Sequence, residues 1–144
     1  MLQTDSESLL EESALNEMYF VSSAVASQLH RALPYIVGSR RCNKCQGIEP
    51  KLRSRLSEAD QYIRIISEHC KSTEGYLTPN RPLKESIFRL MLAQRNHPIT
   101  PSEISVSLSK EWALTPFPRD LAPVVIQRLL ENSDYYCIDR VTGT

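Results

Sequence analysis

The sequence predicts a mainly α-helical protein with a small β component: an antiparallel helical hairpin followed by a module of three helices and a strand. Apolar residues recur at helical spacing over residues 52–70 and again in three shorter stretches, over residues 83–91, 104–112 and 121–130, as on one face of a helix. A β-branched and aromatic segment, "DYYCIDRV", follows the last helical stretch and predicts a strand.

Composition limits the class of protein. The chain has 144 residues, 41% of them apolar and 24% charged, as in ordinary globular proteins. No apolar run approaches the roughly 20 residues of a membrane span. The amino terminus has no basic segment and no cleavage pattern, and the four cysteines are unevenly spaced, unlike a secreted disulfide framework. We therefore expect a cytoplasmic or nuclear protein.

The hairpin is predicted from two apolar stripes. The first helix should run from about Asp5 to Leu33, with Thr4 and Glu7 as a capping box. The second helix should begin near Pro50, which suits a first helical turn. Its stripe is Leu52, Leu56, Ala59, Ile63, Ile66 and Cys70, and the partner stripe is Leu15, Met18, Val25 and Leu29. Such a regular apolar stripe, hereafter the seam, is also typical of a coiled-coil dimer, in which it packs against a second copy of the chain. "YFVSSAV" in the first helix is β-prone.

Turn-forming residues predict the division of the chain. "KSTEGYLTPNRP" at residues 71–82 collects Ser, Thr, Gly, Asn and two prolines, as in a linker. We accordingly assign residues 1–72 to a hairpin that drives association, residues 73–81 to a linker and residues 82–144 to a second module.

Three helices are predicted in the second module. The first places Leu83, Ile87, Leu90 and Met91 on one face. The second has Thr100 as its N-cap, Pro101 at its first position and Glu103 closing a capping box, with Ile104, Leu108 and Trp112 facing inward. The third has Asp120 as its cap, and its apolar arc contains Leu121, Val125, Ile126, Leu129 and Leu130.

This module resembles a winged helix, specifically the HARE-HTH family, which includes the amino-terminal domain of the bacterial RNA polymerase delta subunit. The residues that carry the resemblance are Pro98, Ile99, Thr100, Glu103, Ile104, Leu108, Val125, Leu129, Leu130 and the closing "DRVTGT". The resemblance covers roughly residues 82–144 and implies a transcription, chromatin or DNA-processing setting without catalysis. A full wing would still need a returning strand after Thr144.

The third helix lacks the positive charge that is typical of a DNA recognition helix. A recognition helix presents Arg, Lys, Asn or Gln to the major groove, whereas this helix offers a mixed face. Its candidate partner-binding residues are Pro123, Gln127, Arg128 and Glu131. Residues 76–144 contain eight bases and seven acids. Lys110, Arg119 and Arg140 remain candidate phosphate contacts, but the balance favours docking of a protein.

Residues 40–55, "RRCNKCQGIEPKLRSR", hold the densest positive charge. The six bases there, opposed only by Glu49, are Arg40, Arg41, Lys44, Lys51, Arg53 and Arg55. They form a candidate nucleic-acid-binding patch. The alternative is a solvated loop, neutralised by the acidic amino terminus of a neighbouring copy.

Cys42 and Cys45 within that loop have the spacing of half a zinc site. In the hairpin, His69 and Cys70 should lie about 27 Å away, at 1.5 Å per residue along the second helix. His30 is the one further ligand within reach, so the prediction is that no metal or other cofactor binds. A zinc-dependent or redox regulator using Cys42 and Cys45 is kept as an alternative.

Catalysis is not expected. The chain contains neither a P-loop nor a dinucleotide-binding motif, because both need closely spaced glycines and its glycines are only at positions 38, 47, 75 and 143. The predicted function is a non-catalytic binding module of the transcription or DNA-transaction class, in which the winged helix docks a protein partner or nucleic acid and the hairpin drives dimerisation. The main alternative is a protein-interaction adaptor without nucleic-acid contact.

Overall fold

The computed structural model describes residues 16–115 and 119–142. Among these residues it has six α-helices and one two-stranded antiparallel sheet, which confirms the mainly α class. The predicted Thr4–Glu7 capping box and Leu15 lie outside the described residues. None of the described helices is long and apolar enough to cross a membrane.

The single long helix predicted up to Leu33 is wrong over its described part. Strand β1 spans Tyr19–Val21, helix α1 spans Ser23–Gln28 and helix α2 spans Leu33–Gly38. The β-prone "YFV" forms the strand because it finds a pairing partner elsewhere in the chain. Ser22 then starts α1, since its hydroxyl oxygen accepts a hydrogen bond from the Val25 amide at 3.2 Å.

Helix α3 spans Glu58–Glu68 and is followed by a 3₁₀ turn over Cys70–Ser72. Ser57 caps α3 by accepting a bond from the Asp60 amide at 3.1 Å. The predicted seam is buried at Ala59, Ile63, Ile66 and Cys70, but Leu52 and Leu56 precede the helix and are 99% and 38% exposed. Pro50 is therefore not in a first turn.

Helix α2 supplies the partner for the seam of α3. A methyl group at Gly38 would approach the Tyr62 ring to 3.0 Å, so glycine permits the close approach of the two helices. Helix α2 of the same chain covers this seam. The regular spacing of the seam is therefore explained without a coiled-coil dimer.

The second half follows the prediction more closely. Helix α4 spans Leu83–Ala93, helix α5 spans Pro101–Glu111, helix α6 spans Pro123–Glu131, and strand β2 spans Ile138–Arg140. The predicted inward residues Ile87, Leu90, Met91, Ile104, Leu108, Trp112, Ile126 and Leu130 are buried. Thr100 caps α5 by accepting from the Glu103 amide at 3.2 Å. Asp120 is not the cap of α6, which begins three residues later, and the first part of "DYYCIDRV" forms a 3₁₀ turn over Asp134–Tyr136.

The sheet joins the two ends of the described chain. In the antiparallel pair, Tyr19 lies opposite Arg140 and Val21 opposite Ile138. Tyr19 also exchanges two backbone hydrogen bonds with Ile99, of 2.9 and 3.0 Å, so β1 lies between Ile99 and β2. The Asn96 side chain bonds both the amide and the carbonyl of Val21, at 2.7 and 2.9 Å.

Both the sheet and the core connect the predicted parts, residues 1–72, 73–81 and 82–144. The first half contributes β1 to a sheet with the second half, and buried residues of both form one core cluster. The predicted linker is packed as well: Tyr76 is buried, its hydroxyl donates to the Arg89 carbonyl at 2.6 Å, and the Trp112 indole donates to the Leu77 carbonyl at 3.1 Å. Turn chemistry indicated the bends but not this packing.

Candidate metal centre

Four potential metal ligands from two parts of the chain meet at one end of α3. They are Cys42 and Cys45 from the loop after α2, and His69 and Cys70 from the end of α3. One ligand atom from each residue lies within 4.8 Å of the other three. This cluster could hold a metal ion.

The loop after α2 presents its two cysteines through a tight turn. The amides of Cys45 and Gln46 both donate to the Cys42 carbonyl, at 2.9 and 3.1 Å. This turn brings the two sulfur atoms to the same side of the loop, as the Cys-x-x-Cys spacing requires for a shared metal.

Arg41 fixes this loop from within. Its guanidinium donates to the carbonyls of Gly38, Cys45 and Ile48 at 3.0, 3.1 and 2.8 Å, and it lies 4.0 Å from the centre of the Tyr62 ring. Such contacts around the ligands orient them before a metal binds. Arg41 was predicted as a nucleic-acid contact, but most of its donors are used inside the protein.

The end of α3 presents the other two ligands. The helix stops at Glu68, and His69 has φ −132° and ψ −58°, outside the usual helical region. His69 and Cys70 therefore do not diverge as two neighbours within one helix would. The Thr73 hydroxyl donates to the Cys70 carbonyl at 2.6 Å and helps to hold the 3₁₀ turn.

Two distances within the cluster are close to those of tetrahedral coordination. His69 Nδ1 lies 3.4 Å from Cys42 Sγ and 3.4 Å from Cys45 Sγ. Bond lengths of about 2.3 Å to sulfur and 2.0–2.1 Å to nitrogen predict about 3.5–3.8 Å between neighbouring ligand atoms of a tetrahedral zinc site. The Cys42 amide also donates to Cys70 Sγ at 3.1 Å, which favours a thiolate at that sulfur.

Burial and the neighbouring side chains shift the pKa values of Cys42 and Cys70 in opposite directions, so the thiols do not all ionise together without a cation. Burial raises the pKa of the Cys70 thiol to about 12, and the neighbouring Cys42 and Cys45 add to this rise. Burial also acts to raise the pKa of Cys42, but hydrogen bonds with Cys70, Cys45 and His69 outweigh it and lower that pKa to about 7. A divalent cation reverses this repulsion and allows all three thiols to ionise.

The prediction that His69 and Cys70 lie too far from the Cys-x-x-Cys pair is wrong, and so is the choice of His30, which is not in the cluster. The error lies in the path of the chain. Residues 46–57 run back along α3 toward its start, where the Lys51 amide donates to the Gln61 side chain at 2.7 Å. The pair therefore lies at the end of α3 rather than at its beginning. The spacing Cys-x₂-Cys-x₂₃-His-Cys is the signal that could have identified the set.

The predicted basic residues are divided among several places. Arg40 is half-buried and pairs with Glu85 at 2.7 Å, while Lys51, Arg53 and Arg55 are exposed in the following loop. Arg119 donates to the carbonyls of Pro79 and Arg81. Arg140 pairs with Glu131, and Lys110 is exposed at the end of α5. Only Arg40, Arg41 and Lys44 border the metal cluster, in a cleft that they share with His69.

The partner-binding candidates all lie on α6. Pro123 is in its first turn, and Arg128 is exposed. The Gln127 amide donates to Glu131 at 3.3 Å, and Glu131 also accepts from the Tyr19 hydroxyl at 2.5 Å. The face of α6 near β2 is therefore occupied by internal polar contacts.

Comparison of the chain with protein-family models, with curated proteins and with solved structures finds no match.

Proposed function

We propose that this chain is a non-catalytic binding module whose fold is held together by one Zn²⁺ bound to Cys42, Cys45, His69 and Cys70. The observation that carries the proposal is the convergence of these four ligand atoms to within 4.8 Å of one another. Three of the ligands come from side chains that are buried or half-buried, where unpaired polar groups would be costly.

The ligand set favours zinc. Thiolates are soft ligands that select zinc, Cu(I) or iron–sulfur clusters, and an imidazole among them is typical of zinc. A Cys₃His set fills all four tetrahedral positions, as in structural zinc sites, whereas a catalytic site keeps one position open for water. The site therefore supports a structural role rather than hydrolysis.

The proposed metal would close the loop between α2 and α3. Residues 48–57 between the ligand pairs are almost entirely exposed and contribute little to the core. A metal that joins the loop to α3 only in the folded state adds its binding free energy to folding.

Elemental analysis of the purified protein tests the proposal directly. We expect one zinc per chain after expression in zinc-supplemented medium and gel filtration in metal-free buffer. Protein that is folded by circular dichroism, yet holds less than about 0.1 zinc per chain after refolding with added zinc, would contradict it.

We further propose that residues 82–144 act as a winged-helix docking module of the transcription or DNA-transaction class. The supporting observation is the order α4, Ile99, α5, α6, β2, with β1 paired to both Ile99 and β2. In this interpretation β1, from the first half of the chain, occupies the position of the returning strand of the wing. The mixed charge of α6, with Arg128 beside Glu131, favours a protein partner over a DNA groove.

Duplex binding tests this preference. Fluorescence anisotropy of a labelled 20-base-pair duplex with 5′-hydroxyl ends should show no saturable binding at 150 mM salt, because α6 and β2 together lack the excess positive charge that drives such binding. Sequence-independent binding weaker than about 10 μM at low salt is compatible with the remaining surface lysines. Tight binding that survives 150 mM salt would show that the module reads DNA.

A further inference from the structure

A polar cleft adjoins the metal centre and lies between the loop after α2 and the turn at residues 73–76. Its volume is about 570 Å³, within the usual range for small-molecule sites. Its charged lining residues are Arg40, Arg41, Lys44, Arg81, Arg89 and Glu74.

Positive charge in the cleft exceeds the negative charge near it. Five cationic side chains line it together with one carboxylate, Glu74. A second carboxylate, Glu85, pairs with Arg40 and Arg89 but does not line the cleft. The formal excess is three positive charges. A Zn²⁺ with three thiolates and a neutral imidazole carries one negative charge, so an excess of two remains when the metal centre is filled.

Two of the arginines are held side by side on one carbonyl. The Tyr76 carbonyl accepts from Arg81 Nη1 at 3.2 Å and from Arg89 Nη1 at 3.1 Å. Like charges so placed repel each other, and a bound anion would remove this repulsion. In agreement with this, burial first and the nearby Arg89 second lower the pKa of Arg81.

Arg81 has no carboxylate partner within ion-pair distance among residues 16–115 and 119–142. Its Nη1 shares two N–H groups among three neutral acceptors: the carbonyls of Gly75 and Tyr76, at 2.5 and 3.2 Å, and the Thr78 hydroxyl, at 3.1 Å. These bonds fix the guanidinium while its Nε and Nη2 donate to no other described residue. A fixed arginine with spare donors binds a phosphate with little further loss of side-chain entropy.

We propose that this cleft binds a phosphate group, with Arg81 and Arg89 as its donors and Lys44 as a further charge at the rim. Paired arginines suit the several oxygens of a phosphate. The phosphate could belong to a free nucleotide or to the end of a nucleic-acid strand, because both offer the same chemistry. This site goes beyond the proposed structural zinc, since Tyr76 and Glu85 rather than the metal hold its two arginines.

Isothermal titration of the full chain tests the proposal with three probes. These are pyrophosphate, a single-stranded oligonucleotide with a 5′-phosphate, and the same oligonucleotide with a 5′-hydroxyl. We expect one saturable site per chain for at least one phosphate-bearing probe, weakening as salt is raised. Binding of pyrophosphate alone indicates a small phosphate ligand. Preference for the 5′-phosphorylated over the 5′-hydroxyl strand indicates a strand end. Failure of both phosphate-bearing probes overturns the proposal.

Variants identify the residues responsible. Arg81→Gln should weaken binding about tenfold or more, as loss of a charge-assisted hydrogen bond predicts, and Lys44→Gln about two- to fivefold. Arg64→Gln on α3 removes the same charge as Arg81→Gln, at an exposed position outside the cleft, and should leave binding unchanged. Equal weakening by the cleft and control variants would overturn the proposal.

Zinc content and thermal unfolding are measured on the same samples. Lys44 has an exposed side chain, so its variant remains informative if Arg81→Gln proves unstable. If zinc-loaded protein binds no phosphate-bearing probe, the proposed phosphate site is refuted and the metal centre is not. If folded protein contains no zinc, the proposed metal centre is refuted and the phosphate site is not.

Discussion

Cys70→Ser protein should lose its bound zinc and should unfold about 10 °C or more below the wild-type protein in the presence of zinc. A ligand in thousandfold excess over its dissociation constant stabilises the folded state by about 4 kcal/mol. In a chain of this size each 1 kcal/mol shifts the unfolding temperature by about 2–4 °C. Elemental analysis and differential scanning calorimetry provide the two measurements.

Cys137→Ser is the matched control. Both cysteines are fully buried, so both substitutions place a hydroxyl in the core, but Cys137 is not in the metal cluster. Cys137→Ser should retain one zinc per chain. A chelator should lower the unfolding temperature of the wild type and of Cys137→Ser, and leave that of Cys70→Ser unchanged.

His69→Ala gives an independent check. The His69 side chain is exposed, so its removal creates no cavity in the core, yet it should also reduce zinc retention. If both ligand variants retain stoichiometric zinc, or if a chelator changes no unfolding temperature, the metal centre is not structural.

Glu85→Ala is expected to lower the free energy of unfolding by about 3–5 kcal/mol, the usual cost of removing one partner from a buried ion pair. The Glu85 carboxylate accepts from Arg40 at 2.7 and 3.1 Å and from Arg89 at 2.9 Å. The exposed fractions of these three side chains are only 14–17%. Its removal leaves two guanidinium groups without their carboxylate, and it breaks the link between α4 and the loop that carries Cys42. Urea denaturation at pH 7 measures the effect.

The stability that the Glu85 carboxylate contributes should decrease as pH falls. Burial acts to raise the pKa of Glu85, but Arg40 and Arg89 outweigh it, so the pKa lies below its ordinary value. The ionised carboxylate thus contributes stability that is fully present above the unfolded pKa of about 4.3 and is lost as pH falls through the folded value. The stability difference between wild type and Glu85→Gln should be largest near pH 7 and should shrink below about pH 4.

Glu68→Gln serves as the control for the carboxylate. Glu68 also pairs with two arginines, Arg64 and Arg95, but its side chain is 48% exposed. Solvent-exposed pairs contribute about 1 kcal/mol or less, so this variant should be nearly as stable as the wild type. If Glu68→Gln and Glu85→Gln lower the free energy of unfolding equally, the buried Glu85 ion pairs contribute no more to stability than the exposed Glu68 pairs.

The helices of the second half were predictable because their signals are local. Thr100, Pro101 and Glu103 start α5 through contacts within one turn, and apolar residues at helical spacing identify the buried faces of α4, α5 and α6. The starts of α6 and β2 were placed too early, since Asp120 bonds the Ala122 amide in a turn outside the helix.

The metal centre was half predictable. Cys-x-x-Cys spacing identifies Cys42 and Cys45 as a ligand pair, because their loop alone brings the two sulfur atoms together. The second pair could not be assigned while residues 5–33 were taken as one helix, since that topology places His69 and Cys70 far away. That separation disappears because residues 46–57 run back along α3, so that Cys42 and Cys45 lie at its end.

The sequence by itself determined the helical class, the faces of the last three helices, the cap of α5 and one half of the ligand set. Only the tertiary structure decided that Tyr19 pairs with Arg140, that Cys42 meets Cys70, and that Arg81 and Arg89 share the Tyr76 carbonyl. The reason is the range of the interactions. Caps and helical faces depend on residues within about one or two turns, whereas the sheet, the ligand set and the arginine pair depend on the path of the chain between distant segments.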